Sequence, residues 1–227
     1  MKIYYFFLIK LLSICFFIGG CFSSTTYKSA TVEEGKGSSG LAVGISTMQY
    51  SNENLYDGSS LKKSRLWPSW EFFLQYGLTD SFGMGLKTNL GSIIADTNFI
   101  ADAKFQYFDG EVLDMAFDLG IGTSSFPQIR DNETVYDTYN SIYPAAIFTL
   151  NFSDKFRTSL SLEHKKIYNN NPEGDESSAS FNGGSINISA GKDFNFIAQT
   201  SYFTGKDFKK YEVVLRSIGF GFAFLFD

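Results

Sequence analysis

Charged side chains recur at even spacings in stretches that are otherwise apolar: Asp102 and Lys104, Asp114 and Asp118, Glu163 and Lys165, with Glu71, Lys87, Asp96 and Arg157 in similar surroundings. In an extended chain, residues two apart share a face. Both signs are present, so this set can pair internally or line a narrow ion path. Other chemistry is poorly supplied. With one His and two Cys, the chain falls short of the clustered imidazole or thiolate ligands that a soft metal site needs. Asp114 and Asp118 lack the six or more oxygens of a calcium site, and Glu173-Gly174-Asp175-Glu176 lacks the EF-hand spacing. Hydrolysis needs a nucleophile, a base and an orienter in reach. The single imidazole, His164, falls by parity with Leu160 and Leu162 on the face opposite the charges. Its neighbours Glu163, Lys165 and Lys166 leave two readings, a solvated strand end or contacts to lipid phosphates. In Gly35-Lys36-Gly37-Ser38 no Ser or Thr follows the Lys, so it is no phosphate loop. No cofactor, no metal and no enzymatic activity are expected.

Strands must position these charges. Trp70, Phe72, Leu74, Tyr76 and Leu78 alternate with Glu71, Phe73, Gln75 and Gly77, and Leu113, Met115, Phe117, Leu119 and Ile121 alternate with Asp114, Ala116, Asp118 and Gly120. Period two over such lengths is a strand signal that a helix cannot imitate on one face. Tight polar turns at Thr79-Asp80-Ser81, Asp109-Gly110, Ser153-Asp154-Lys155 and Lys192-Asp193 read as hairpins. Between them lie connections near Ser51 to Arg65, Ser92 to Ile93, Ser124 to Thr134, Asn169 to Ser178 and Gly205 to Lys210, all but the second long. The pattern predicts about ten strands, starting near Leu41, Trp67, Met84, Ala95, Glu111, Tyr139, Phe156, Ala179, Phe194 and Glu212; eight or twelve remain open. Alternating short and long connections suit an all-β, antiparallel, up-and-down transmembrane barrel.

A soluble lipocalin-like barrel could share the alternation, with its apolar set inside. Aromatic residues at 18 % of 227, with 25 Phe and 13 Tyr, and a repeatedly charged opposite face favour an exterior turned to lipid. The net charge of −5 supplies no surface for a phosphate backbone, so nucleic acid is not an expected partner.

The N-terminus has its own logic. Lys2, the apolar runs on either side of Lys10 and the small pair Gly19-Gly20 lay out a secretory signal peptide over residues 1–20. Ile18-Gly19-Gly20-Cys21 resembles the lipobox of bacterial lipoproteins, which implies cleavage before Cys21 and its acylation. Loss of Lys2, Lys10 and Cys15 would leave a net charge of −7 and no possible disulfide. Phe22, rather than Asp, follows the Cys, and by that family's sorting logic implies the outer membrane. Polar, Gly/Ser/Thr-rich residues then read as a flexible tether over 21–38, ahead of a barrel over 39–227.

At the other end, Phe220-Gly221-Phe222-Ala223-Phe224-Leu225-Phe226-Asp227 looks like the terminal strand of outer-membrane β-barrel proteins. The resemblance implies the barrel-insertion machinery as a partner, with Asp227 after the final aromatic a departure. The turn Gly77-Leu78-Thr79-Asp80-Ser81-Phe82-Gly83-Met84-Gly85-Leu86 resembles one common in such barrels. Together these imply an outer-membrane lipoprotein surrounded by membrane lipid and lipopolysaccharide, and a monomer.

The polar set would then face the lumen: Glu71, Lys87, Asp96, Asp102, Lys104, Asp114, Asp118, Arg157, Glu163 and Lys165. Ten strands enclose little more than side chains, so a wide pore is excluded. The expected role is structural or surface-interacting, with a lumen plugged by charged side chains and contact loops at Ser51, Ser124 and Asn169. A narrow channel for small solutes or ions and a periplasmic lipocalin-like carrier of an apolar ligand remain as alternatives.

Overall fold

A computed structural model describes residues 29, 31–51, 65–90, 97–130, 133–170, 178–207 and 212–227. Ten strands follow in chain order: β1 (Gly37–Ser51), β2 (Arg65–Gly77), β3 (Phe82–Leu90), β4 (Thr97–Phe108), β5 (Leu113–Arg130), β6 (Glu133–Ser153), β7 (Phe156–Asn169), β8 (Ser178–Gly191), β9 (Phe194–Lys206) and β10 (Glu212–Phe226). Each pairs antiparallel with its sequence neighbours, and β1 pairs with both β2 and β10, so the sheet closes. Closure leaves no strand edge with unpaired backbone groups.

The four tight turns lie where the polar runs place them. At the first, Leu78 N–H and Thr79 N–H donate to Phe82 O at 2.8 and 3.0 Å, and Thr79 Oγ1 accepts from the backbone N–H of Ser81 and Phe82. The β8–β9 turn depends on Gly191, whose φ of 143° is strained for any side chain; a Cβ there would lie 1.9 Å from Phe194 O.

One connection differs from expectation. In place of a loop over Ser124 to Thr134, β5 continues to Arg130 and β6 begins at Glu133, in unbroken register from Arg130↔Glu133 to Leu113↔Leu150. These two strands span 18 and 21 residues, roughly 60 to 70 Å at about 3.4 Å per residue. That exceeds a hydrocarbon layer even at a barrel's tilt. Period-two apolar alternation lapses in this polar, Pro-containing stretch, which is why the sequence reads there as a loop.

Alternation sorts the side chains by face. Phe72, Leu74, Met84, Phe105, Phe117, Leu162, Ile186, Phe196, Ile218 and Phe224 are exposed on the outer wall, while Glu71, Phe73, Lys87, Asp102, Asp118, Ser161 and Asn187 are buried. On the outside, β9 and β10 interlock through Phe194 with Phe222 and Phe224, at 5.2 and 4.9 Å between ring centroids, and Phe196 with Phe222 at 5.7 Å. Inside, apolar contacts form separate patches: Phe73 with Ile197 and Ala223, Ala116 with Ile147, and Phe181 with Ala179, Phe203 and Val213.

Ile147 is fully buried against its register partner Ala116, so truncating it leaves a void. Ile147→Ala is expected to lower unfolding stability in detergent by about 2–4 kcal/mol, read by a urea series.

Candidate functional site

The lumen is the candidate site. Its charges fall into two groups. On β2 to β5, Lys87 Nζ lies 2.5 Å from Asp102 Oδ2, with both side chains almost wholly buried. Asp118 and Glu71 lie within Coulomb range of the same ammonium. Lys104 and Asp118 face each other across β4 and β5 in direct register, and both are buried. Asp114, also buried, sits nearer the turns; its Oδ2 accepts from Asn151 Nδ2 at 3.0 Å.

The second group is on β7, towards the long-connection end. Glu163 Oε1 accepts from Ser161 Oγ at 2.7 Å and from Ser185 Oγ at 3.3 Å, and Glu163 Oε2 lies 3.9 Å from Lys165 Nζ. The ammonium of Lys165 stands 3.9 Å from the centroid of the Phe203 ring, a cation–π contact in a desolvated place. Arg157 takes part in neither group. It is half-buried at the turn end and lines a cavity of about 580 Å³ with Lys104, Asp154, Lys192, Asp193 and Asp227. Asp96 and Cys21 lie outside the described residues. His164 is on the outer wall, its Nδ1 2.7 Å from Asn182 Oδ1. Among the described residues no three His, Cys, Asp or Glu side chains are grouped to hold a metal ion.

Opposite the charged wall is a wall of hydroxyls that sequence reasoning did not pick out. Ser46, Ser217, Ser201, Ser185 and Ser161 are register partners in succession across β1, β10, β9, β8 and β7. All are buried. Ser201 bonds to Ser217, and Ser185 to Ser161 at 2.6 Å. One step towards the turns, Ser69, Gly44, Gly219, Gln199, Asn187 and Ser159 form a second such row. Asn187 is only 1 % exposed, and among the described residues neither its amide nitrogen nor its oxygen has a partner. A buried amide of that kind calls for ordered water. Serines are spread along the whole chain, and only the cross-strand register assembles a belt from residues up to 171 positions apart.

The turn end of the lumen is crossed by a segment expected to be free. Thr31 Oγ1 donates to Asp114 Oδ2 at 2.8 Å, and Val32 N–H donates to Gln106 Oε1 at 2.6 Å. Gly35 N–H donates to Gly77 O at 3.0 Å, and Gly77 N–H to Lys36 O at 2.9 Å. Residues 31–36 are therefore a docked strap and β1 begins at Gly37; of the expected 21–38 tether, residues 21–28 and 30 lie outside the described residues. A Cβ on Gly77 would lie 2.0 Å from Glu33 O, so the strap passes directly over a glycine.

No family model and no curated protein matches the chain. Solved barrels do resemble it. The N-terminal β-barrel domain of Pseudomonas aeruginosa OprF is 13 % identical, at a TM-score of 0.37, covering 82 % of this chain and 97 % of its own. The outer-membrane protease OmpT of Escherichia coli is 7 % identical, at a TM-score of 0.46, covering 90 % and 100 %. The KdgM porin is 9 % identical, at 0.40, covering 82 % and 99 %. The likeness is one of fold: an all-β, closed, antiparallel barrel.

Two variants probe this interior. Lys87→Met would leave Asp102 buried without its cation and is expected to cost about 3–5 kcal/mol in urea unfolding, with Lys87→Met/Asp102→Leu recovering most of the loss. Gly77→Ala should lift the strap: amide exchange at Gly35 and protease cleavage at Lys36 speed up while the folded barrel keeps its gel mobility.

Proposed function

We propose that this chain is a bacterial outer-membrane lipoprotein, anchored by acyl chains on Cys21, whose barrel crosses the membrane and serves a structural or surface-interaction role. The observation that carries the reading is the inverted polarity of the wall. Large apolar side chains cover the outside, and paired charges with hydroxyls fill the inside. Such an exterior is stable in lipid, whereas a lipocalin-like carrier needs a polar exterior around an apolar cavity.

The plugged reading has two supports. The charges compensate one another at close range, and residues 31–36 cross the turn end. In this reading both termini and the short turns face the periplasm, and the β5–β6 ribbon rises from the outer surface as the main contact element. Barrel-insertion machinery acts on β10, lipid and lipopolysaccharide surround the wall, and the chain works as a monomer without enzymatic activity. A second reading, a narrow channel for small solutes or ions, draws on the hydroxyl wall and the unpartnered amide of Asn187. Water can file along such a wall, but full-sized ions would have to part Lys87 from Asp102.

Planar-bilayer recording separates the two: the plugged barrel stays silent, and steady single-channel steps would favour the channel. Membrane insertion is tested independently by Ile186→Arg on the outer wall, where Ile186 is 48 % exposed. In a bilayer the substitution should cost about 2–4 kcal/mol, and on a water-facing wall almost nothing.

A further inference from the structure

The outer wall is not uniform around its circumference. Rising from the turn end of β10, the outward residues are Phe226, Phe224, Phe222, Phe220 and Ile218, followed by Arg216; on β7 the series Phe156, Leu160, Leu162 gives way to His164 and Lys166. On β9, Tyr202 is followed by Thr204 and Lys206. The apolar stretch from Phe226 to Ile218 measures roughly 27 Å along the strand, or about 20 Å of height at a barrel's tilt. Arg216 therefore stands at the upper margin of the apolar band, where lipid headgroups begin. Among the residues whose side chains are described, outward-facing cations occur on β10 at this register and four residues further along β9 and β7, at Lys206 and Lys166, while Lys87 and Lys104 on β3 and β4 point inward.

Directly below Arg216 runs a groove. The β-branched Val43, Ile45 and Thr47 of β1 form its floor, and the larger Trp70 of β2 and Ile218 and Phe220 of β10 wall it on either side. It offers about 390 Å³ and its lining is mostly apolar. At its top the Arg216 guanidinium lies 5.6 Å from the centroid of the Tyr202 ring, and among the described residues no carboxylate pairs with it.

An apolar trough ending under a cation at headgroup height is complementary to one kind of molecule, a lipid with an apolar tail and an anionic head. We propose that the β1 groove is a binding site for an anionic phospholipid of the leaflet at the long-connection end. One acyl chain lies between Trp70 and Phe220, and the phosphate is held by Arg216. The site rests on the membrane-spanning reading above and adds to it a fixed position and a headgroup preference. Lys206 and Lys166, two strands apart through Ser180 in register, continue the cationic margin for neighbouring headgroups.

Trp70 is both the wall of the groove and its reporter, since Trp67 is the one other tryptophan. The full chain carrying Trp67→Phe, reconstituted in phosphatidylcholine vesicles, is titrated with brominated phosphatidylglycerol or, separately, with brominated phosphatidylcholine, and Trp70 fluorescence is read. The anionic lipid is expected to quench at about fivefold lower mole fraction, the preference one basic residue confers near a membrane surface. Arg216→Gln should abolish the preference, Lys155→Gln at the opposite end should leave it intact, and Ile45→Phe, which fills the trough, should weaken quenching by both lipids. Equal quenching by the two lipids, or a preference that survives Arg216→Gln, would overturn the site while leaving the barrel in its membrane. Absence of quenching by either lipid would overturn both the site and the spanning reading.

Discussion

Backbone hydrogen bonding is the constraint from which the rest follows. In an apolar surrounding every peptide N–H and C=O must find a partner within the protein, and a sheet meets that demand only by closing on itself. Closure of β1 on β10 then leaves the side chains two directions, out or in, in strict alternation. Ten strands enclose a space too narrow to keep charges in bulk water, so whatever polar residues alternate with the lipid-facing set must satisfy one another. Lys87 with Asp102 and Glu163 with Ser161 and Ser185 are consequences of closure as much as of their own chemistry.

The interior divides by side-chain size as well as by charge. Long side chains project from β2, β3 and β4, Glu71, Lys87 and Lys104, and from β7, Glu163 and Lys165, whereas at mid-height serines, glycines and amides line β8 to β10 and β1. Pairing a wall of large residues with a wall of small ones fills a confined lumen without strain. It also places hydroxyls where a buried carboxylate needs donors: Glu163 takes two from the belt, and a hydrogen-bonded carboxylate tolerates burial far better than a bare one.

Strand number, the four tight turns and the facing of the charged residues were legible because each depends on parity, which sequence displays directly. Glu71 and Asp118 point inward for the same reason that Phe72 and Phe117 point outward. Features that depend on register were not legible. The serine belt exists only because Ser46 meets Ser217 and Ser201 meets Ser185, and no local pattern states which residues of separate strands align. The strap over Gly77 was hidden differently: Thr31 to Lys36 has the polar, flexible composition of a linker, and its order comes from hydrogen bonds to the barrel at Thr31, Val32, Glu34, Gly35 and Lys36. The β5–β6 ribbon misled because its far half, Ser124 to Thr134, is polar and carries no sustained apolar period, although its backbone pairs in register throughout.

The strap also limits where an anchor could act. Ten residue steps separate Cys21 from Thr31, a reach of at most about 35 Å when fully extended. Ten strands spaced about 4.8 Å apart and tilted near 40° give a wall about 60 Å around, so the lipid lies within about 10–15 Å of the barrel axis. Acyl chains on Cys21 could therefore enter the membrane beside the barrel while Thr31 stays bonded to Asp114 inside it. With so little slack, an anchor there restricts how far the strap can retreat from the mouth. Lipidation and closure of the turn end would then be one mechanical element, in which a short tether holds residues 31–36 near the groups that bind them and raises their effective concentration at the lumen entrance.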